Sequence, residues 1–220
     1  MTRMDRVVRN GRVYFDGRLQ NVDLWIRGGK VADLGGNHQA EEAIDGRGMI
    51  VLPGAVDLHV HFRDPGYTYK EDWETGSTSA VAGGVTTVVD QPNTDPPTLD
   101  ERSYRMKLET AERRSVVDFC LNGGPGRMKR LAELGASAIG EIFTYEHSDD
   151  DLRRILEETA RSGLLPTIHA EDGGVIRENT APLRDRRDPE LYSMARPNLA
   201  EAKAIEMVPE DDRAGVPSAT

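Results

Sequence analysis

Cysteine is almost missing from this sequence: Cys120 stands alone among 220 residues. One thiol cannot form an intrachain disulfide, and there is no cysteine cluster to build a zinc ribbon. Its setting, Val116-Val117-Asp118-Phe119-Cys120-Leu121, reads as a buried strand with Cys120 as a small apolar filler, because no activating base is adjacent. Long apolar runs are missing too. None approaches the roughly 20 residues that a membrane-spanning helix needs. The first residues, Met1 to Arg6, lead straight into a β pattern without the apolar core of a signal peptide, so a cytoplasmic location is expected. Lysine is confined to Lys30, Lys70, Lys107, Lys129 and Lys203, and the formal net charge is -10. That balance argues against nucleic acid or an anionic membrane as a partner. Two origins for the arginine-over-lysine, acidic composition stay open: a salt-rich cytoplasm that screens the self-repulsion, or acidic drift in a high-GC genome. The hydrophobic share of 37% and charged share of 30% still suit a soluble globular chain rather than a disordered one.

What is present divides into two grammars. Residues 1–52 are short β patterns separated by turns, read as a small, incomplete β-sandwich segment of five strands. Asn10-Gly11 is expected to close a two-residue hairpin; Asp16-Gly17, Gly28-Gly29, Gly35-Gly36 and Asp45-Gly46 mark further turns. From Pro53-Gly54 the pattern becomes strand, turn, helix, repeated. Strands are expected at 55–61, 85–90, 116–121, 138–143 and 165–169, and helices at 70–82, 99–114, 127–134 and 149–162. This is α/β alternation, read as the first five β/α units of a TIM-type (β/α)8 barrel over residues 53–207. A helix begins near Asn198, and residues 208–220 read as an irregular tail, so the chain is expected to stop in mid-fold with poor solubility on its own.

Each strand of the second region ends in polar residues, where β/α folds place their chemistry. The sharpest run is Val56-Asp57-Leu58-His59-Val60-His61-Phe62-Arg63-Asp64-Pro65-Gly66. Histidines at i and i+2 of a strand share a face, so His59 and His61 can reach one divalent cation. His169 closes the fifth strand, while His38 and His147 sit in polar turns and read as solvated surface residues.

Three segments resemble the amidohydrolase superfamily, and within it the dihydroorotases of the allantoinase- and hydantoinase-related branch. They are Asp57 to Gly66, Ala82-Gly83-Gly84-Val85-Thr86-Thr87-Val88-Val89-Asp90-Gln91-Pro92-Asn93-Thr94, and Ile168-His169-Ala170-Glu171-Asp172. The resemblance runs along nearly the whole chain but spans about half of what such an enzyme contains. It implies a zinc site of one or two ions, with His59 and His61 on one metal and His169 on the second. It also implies that Arg63 and Asn93 grip a substrate carboxylate, for which a guanidinium fork is apt. The implied activity is the reversible interconversion of dihydroorotate and N-carbamoyl-L-aspartate by a metal-activated hydroxide, in pyrimidine biosynthesis. An allantoinase- or dihydropyrimidinase-type hydrolase and a non-catalytic homologue are the alternatives. Implied partners are the small-molecule substrate, a second copy of the chain, or a transcarbamoylase.

The sequence departs from the family pattern twice. Where the family carries a carboxylated lysine that bridges two metals, this chain has Ala138-Ile139-Gly140-Glu141-Ile142-Phe143, with a register one residue longer. Glu141 is either a carboxylate ligand in its place or a glutamate facing solvent. The family's sixth-strand histidine and eighth-strand catalytic aspartate have no counterpart after Met207, so no catalytic residue is assigned.

Overall fold

In the computed structural model, which describes residues 3–208, turn residues decide how the N-terminal strands pair. These are β1 (Arg3–Arg9), β2 (Arg12–Phe15), β3 (Arg18–Asn21), β4 (Leu24–Arg27), β5 (Lys30–Leu34), β6 (Gln39–Asp45) and β7 (Ile50–Val51). Asp16 and Gly17, at φ 51° and 74°, turn β2 into its antiparallel partner β3. Gly28 and Gly29, at 59° and 71°, do the same for β4 and β5. Positive φ at both central residues matches the twist of a two-residue hairpin.

The hairpin expected at Asn10-Gly11 does not form. Asn10 takes φ 62°, but β1 pairs antiparallel with β4 and parallel with β6, whereas β2 belongs to a second sheet. Asn10 therefore carries the chain from one sheet to the other, and its side-chain amide donates to Asp45 Oδ1 at 3.2 Å. The sheets run β5-β4-β1-β6 and β3-β2-β7. Two of these strands, β3 and β6, go beyond the five expected. Met4, Val7 and Trp25 form the buried cluster of this unit, which ends at Gly54.

Among the described residues the second unit holds five strands: β8 (Ala55–Val60), β9 (Val85–Asp90), β10 (Asp118–Leu121), β11 (Ala138–Phe143) and β12 (Leu165–His169). Its helices are α1 (Trp73–Ala82), α2 (Glu101–Arg114), α3 (Met128–Glu133), α4 (Asp149–Arg161), α5 (Gly173–Thr180), α6 (Leu191–Ala195) and α7 (Asn198–Met207). Strands β8, β9 and β10 are parallel neighbours, as are β11 and β12. A parallel bridge from Gly123 to Ile139 links the two groups, so the strands follow one another in sequence order. Side-chain caps set several helix starts. Asp72 accepts the Thr75 N–H at 2.9 Å, which begins α1 at Trp73 rather than at the expected Lys70. Asp100 and Ser103 form a reciprocal capping box on α2.

The core of this unit lies between strands and helices, with Trp73, Val88, Leu121, Leu131, Ile139 and Ile142 buried. Phe62 meets Trp73 edge to face at 4.9 Å. Cys120 corrects the sequence reading: it is exposed, because alternation along β10 sends Leu121 into the core and Cys120 to the opposite face. On β8, Val56 is 56% and Leu58 69% exposed. The tail expected from residue 208 lies, apart from Val208, outside the described residues. No helix among the described residues is long and apolar enough to cross a membrane.

Candidate functional site

The site gathers at the carboxyl ends of β8, β9, β11 and β12. Strand β8 ends at Val60, and His59 and His61 flank that end with their Nε2 atoms 3.2 Å apart. Glu141 reaches the same point through an irregularity in β11. Ile139 pairs with Pro166 and Ile142 with Ile168, so β11 holds one more residue than its partner between the two pairs. The extra residue is absorbed at Gly140-Glu141, a bulge of the kind that re-aims a side chain beside a site. Gly140 permits it, since a Cβ there would overlap the Thr167 hydroxyl.

Glu141 does not face solvent: its side chain is 8% exposed, with Oε1 3.5 Å from His59 Nε2 and Oε2 3.6 Å from His61 Nε2. One ligand atom from each of His59, His61 and Glu141 lies within 4.8 Å of the other two. Burial pushes His61 below the ordinary histidine value, and the Arg63 charge acts the same way against the hydrogen bond to Asn93. A neutral imidazole is the form that ligates. Two imidazoles and one carboxylate around a common point are a donor set that fits a borderline divalent cation.

His169, at the end of β12, joins this group from one side. Its Nδ1 is 3.2 Å from Glu141 Oε1, while Nε2 is 2.8 Å from Glu171 Oε2. Glu171 is itself paired with Arg196 and receives its backbone position from Thr144, whose hydroxyl accepts the Glu171 N–H at 2.8 Å. His169 is therefore at the site, yet outside the three-residue group. A cavity of about 300 Å³ opens beside it, lined by Ala170, Glu171, Arg196 and Asn198 among others.

Asn93, in the loop after β9, touches both sides of the group: His61 Nδ1 lies 2.8 Å from its Oδ1, and its Nδ2 donates to Glu141 Oε2 at 3.3 Å. Arg63 follows the histidine pair at φ 59°, a left-handed conformation costly for a non-glycine residue. Its guanidinium is half-buried and donates to the Asn93 carbonyl at 3.2 Å. Among the described residues no carboxylate pairs with it, which leaves a cation free to receive an anion. The turn around Arg63 is fastened on both sides. The Phe62 N–H donates to Asp90 Oδ1 at 2.7 Å, and Arg114 bridges Asp64 and Asp72 at 2.9 and 2.8 Å.

Several of these residues escaped the sequence reading. Lys107, Thr144 and Arg196 lie outside the motif segments, and Asp90 and Glu171, though inside them, were given no role. The available signal for Lys107 was its place on the buried stripe of α2 with Tyr104 and Ala111. His38 and His147 correct the expectation of solvated residues, since both are half-buried. His38 packs edge-on to Trp25 at 5.3 Å and pairs with Asp33 at 2.7 Å.

Comparison with known proteins extends this description. Residues 50–206 match the family described as the Amidohydrolase family. A dihydroorotase of Methanosarcina mazei is 42% identical over 212 residues, covering 90% of this chain and 46% of the relative. An allantoinase of Rubrobacter xylanophilus is 37% identical over 225 residues, covering 93% of this chain and 49% of the relative. Among solved structures, the L-hydantoinase (dihydropyrimidinase) of Arthrobacter aurescens superposes with a TM-score of 0.84 at 29% identity, over 93% of this chain and 49% of that one. The chain thus spans about half the length of the relatives it matches.

Proposed function

The chain belongs to the amidohydrolase family, and from that premise we propose that it is a dihydroorotase-type cyclic amide hydrolase, acting between dihydroorotate and N-carbamoyl-L-aspartate. In this reading β8 to β12 are the first five strands of a (β/α)8-type barrel, supported by five parallel strands taken in sequence order. His59, His61 and Glu141 would hold zinc, and His169 beside Glu141 would serve a second ion. A bound divalent cation supplies Lewis acidity for the amide carbonyl and for activating water.

The observation that carries the substrate assignment is the half-buried Arg63 at the edge of the histidine pair, with which no carboxylate pairs among the described residues. Its fork accepts a carboxylate in bidentate geometry. Asn93 Nδ2 has a second N–H beyond the one given to Glu141, and it can donate to the same carboxylate. The left-handed turn holds Arg63 on the ligand side, so the substrate's carboxylate is oriented while its amide faces the histidines. A dihydroorotase relative at 42% identity supports this choice.

The competing reading, an allantoinase- or dihydropyrimidinase-type hydrolase, draws on the allantoinase at 37% identity and the hydantoinase superposition. Those rings lack the carboxylate that Arg63 would bind. Calorimetric titration of the zinc-loaded chain separates the readings, alongside an assay of carbamoyl-aspartate cyclisation. Binding of N-carbamoyl-L-aspartate that is lost in Arg63→Gln is the expected result. Equal binding of allantoin, or indifference to the substitution, would overturn the assignment, and binding without turnover would favour a non-catalytic homologue.

A further inference from the structure

An ionised carboxylate only accepts hydrogen bonds, so the Asn93 atom that faces Glu141 at 3.3 Å is its NH2 group. That orientation turns the amide oxygen toward His61 Nδ1, 2.8 Å away. A carbonyl oxygen also only accepts, so Nδ1 of His61 must carry the ring proton. Nε2 then presents its lone pair, and Nε2 is the atom that lies 3.2 Å from His59 Nε2 and 3.6 Å from Glu141 Oε2. One side-chain amide, in a loop between β9 and α2, thereby dictates the tautomer of one group and the carboxylate rotation of another.

We propose that Asn93 is a positioning residue for the cation ligands: it sets His61 in the Nδ1–H tautomer and aligns Glu141 before any cation arrives. The inference rests on the reading of His59, His61 and Glu141 as a ligand set, and it gives Asn93 a task separate from contact with substrate. His59 has no equivalent partner for its Nδ1 among the described residues; its backbone N–H donates to Asp57 Oδ1 at 3.1 Å. His61 is the pre-set ligand and His59 the adaptable one. Outer partners of this type hold a ligating histidine in one tautomer and orientation.

The test reads the tautomer directly. Nitrogen-15 NMR of the metal-free, histidine-labelled full chain, at a pH where the rings are neutral, distinguishes Nδ1–H from Nε2–H. His61 is expected as Nδ1–H in the unaltered chain and in Asn93→Asp, which keeps an acceptor, and as a mixture shifted toward Nε2–H in Asn93→Leu, which keeps only volume. In parallel, zinc affinity measured by chelator competition should fall about 10- to 100-fold in Asn93→Leu. An Nε2–H ring in the unaltered chain overturns the proposal, whether or not the variant folds. Unchanged tautomer and unchanged zinc affinity in a folded Asn93→Leu overturn it as well. If the unaltered chain binds no zinc while His61 is Nδ1–H and relaxes in the variant, the ligand reading fails and the role of Asn93 in setting the ring stands.

Discussion

Lys107 Nζ lies 2.5 Å from Asp90 Oδ2, and neither side chain reaches solvent. Asp90 uses its other oxygen to accept the Phe62 N–H, and Lys107 donates to the Gln91 carbonyl. A charge pair spanning α2 and β9 therefore anchors the peptide between His61 and Arg63. Burial pushes the lysine below its ordinary range, and Asp90 acts against that shift. Removing one member of a buried pair leaves the other uncompensated, at a cost of about 3–5 kcal/mol. Lys107→Met should lose stability on that scale in a urea titration. The double variant Asp90→Asn with Lys107→Met should recover much of it, because no lone charge remains and the asparagine oxygen still accepts from Phe62. Equal stability of the single and double variants would show that the pair does not act as a unit.

How much of this was legible depends on the range of the interaction. Strands β9, β11 and β12 lie where the apolar runs with polar exits place them; for β9 and β11, strands buried between neighbours announce themselves by composition. Strand β6 did not, since Gln-Ala-Glu-Glu-Ala-Ile-Asp has weak strand propensity and is held by its main-chain ladder to β1 and by Arg6–Glu42 at 2.6 Å. Asn10-Gly11 marks a real turn but says nothing about which strand the chain will pair with next. At the site, the spacing of His59 and His61 is local and readable. The Asn93–Glu141 bond joins residues 48 apart, and Lys107 meets Asp90 only after α2 folds back on β9. The extra residue before Glu141 was visible as a spacing anomaly, but its meaning as a bulge required the partner strand.

That bulge makes Gly140 a sensitive position. A Cβ there meets the buried Thr167 hydroxyl, so Gly140→Ala must either displace β12 or straighten β11. Overpacking of this kind costs about 1–3 kcal/mol. Because Glu141 is the next residue, zinc affinity should fall together with the melting temperature. Gly83→Ala is the control, since its nearest neighbour would sit at 3.4 Å, an ordinary contact. A Gly140→Ala protein that melts and binds zinc like the unaltered chain would contradict the role given to the bulge.

Acid should weaken the contact between α2 and α3. Arg130 and Arg105 hold the Glu101 carboxyl down to about 2, from an ordinary value of 4.5. A carboxyl whose folded pKa is depressed adds stability above the unfolded value and loses it as pH falls through the folded one. The melting-temperature gap between the unaltered chain and Glu101→Gln should be widest at neutral pH, shrink below about 4.5 and vanish near 2. Because Glu101 and Arg130 are exposed, added salt should narrow the gap as well. A gap independent of pH would assign the effect of the substitution to packing rather than charge.

Cation binding should be visible as stability, independently of turnover. A ligand that binds only the folded chain stabilises it by about 2.7 kcal/mol at a hundred times its dissociation constant. For a chain of this size that corresponds to a rise in melting temperature of roughly 5–10 °C. Zinc should produce that rise, and a chelator should reverse it. Glu141→Gln keeps the volume and the contact with Asn93 but removes the charge that His59 and His61 share at 3.5 and 3.6 Å. It should lower zinc affinity at least about 100-fold, beyond what a change outside the ligand set costs. His169→Gln should leave the first equivalent of zinc in place, because His169 lies outside the three-residue group and its Nε2 is turned to Glu171. Loss of all zinc in His169→Gln, with retention in Glu141→Gln, would place the primary cation on β12 instead of between β8 and β11.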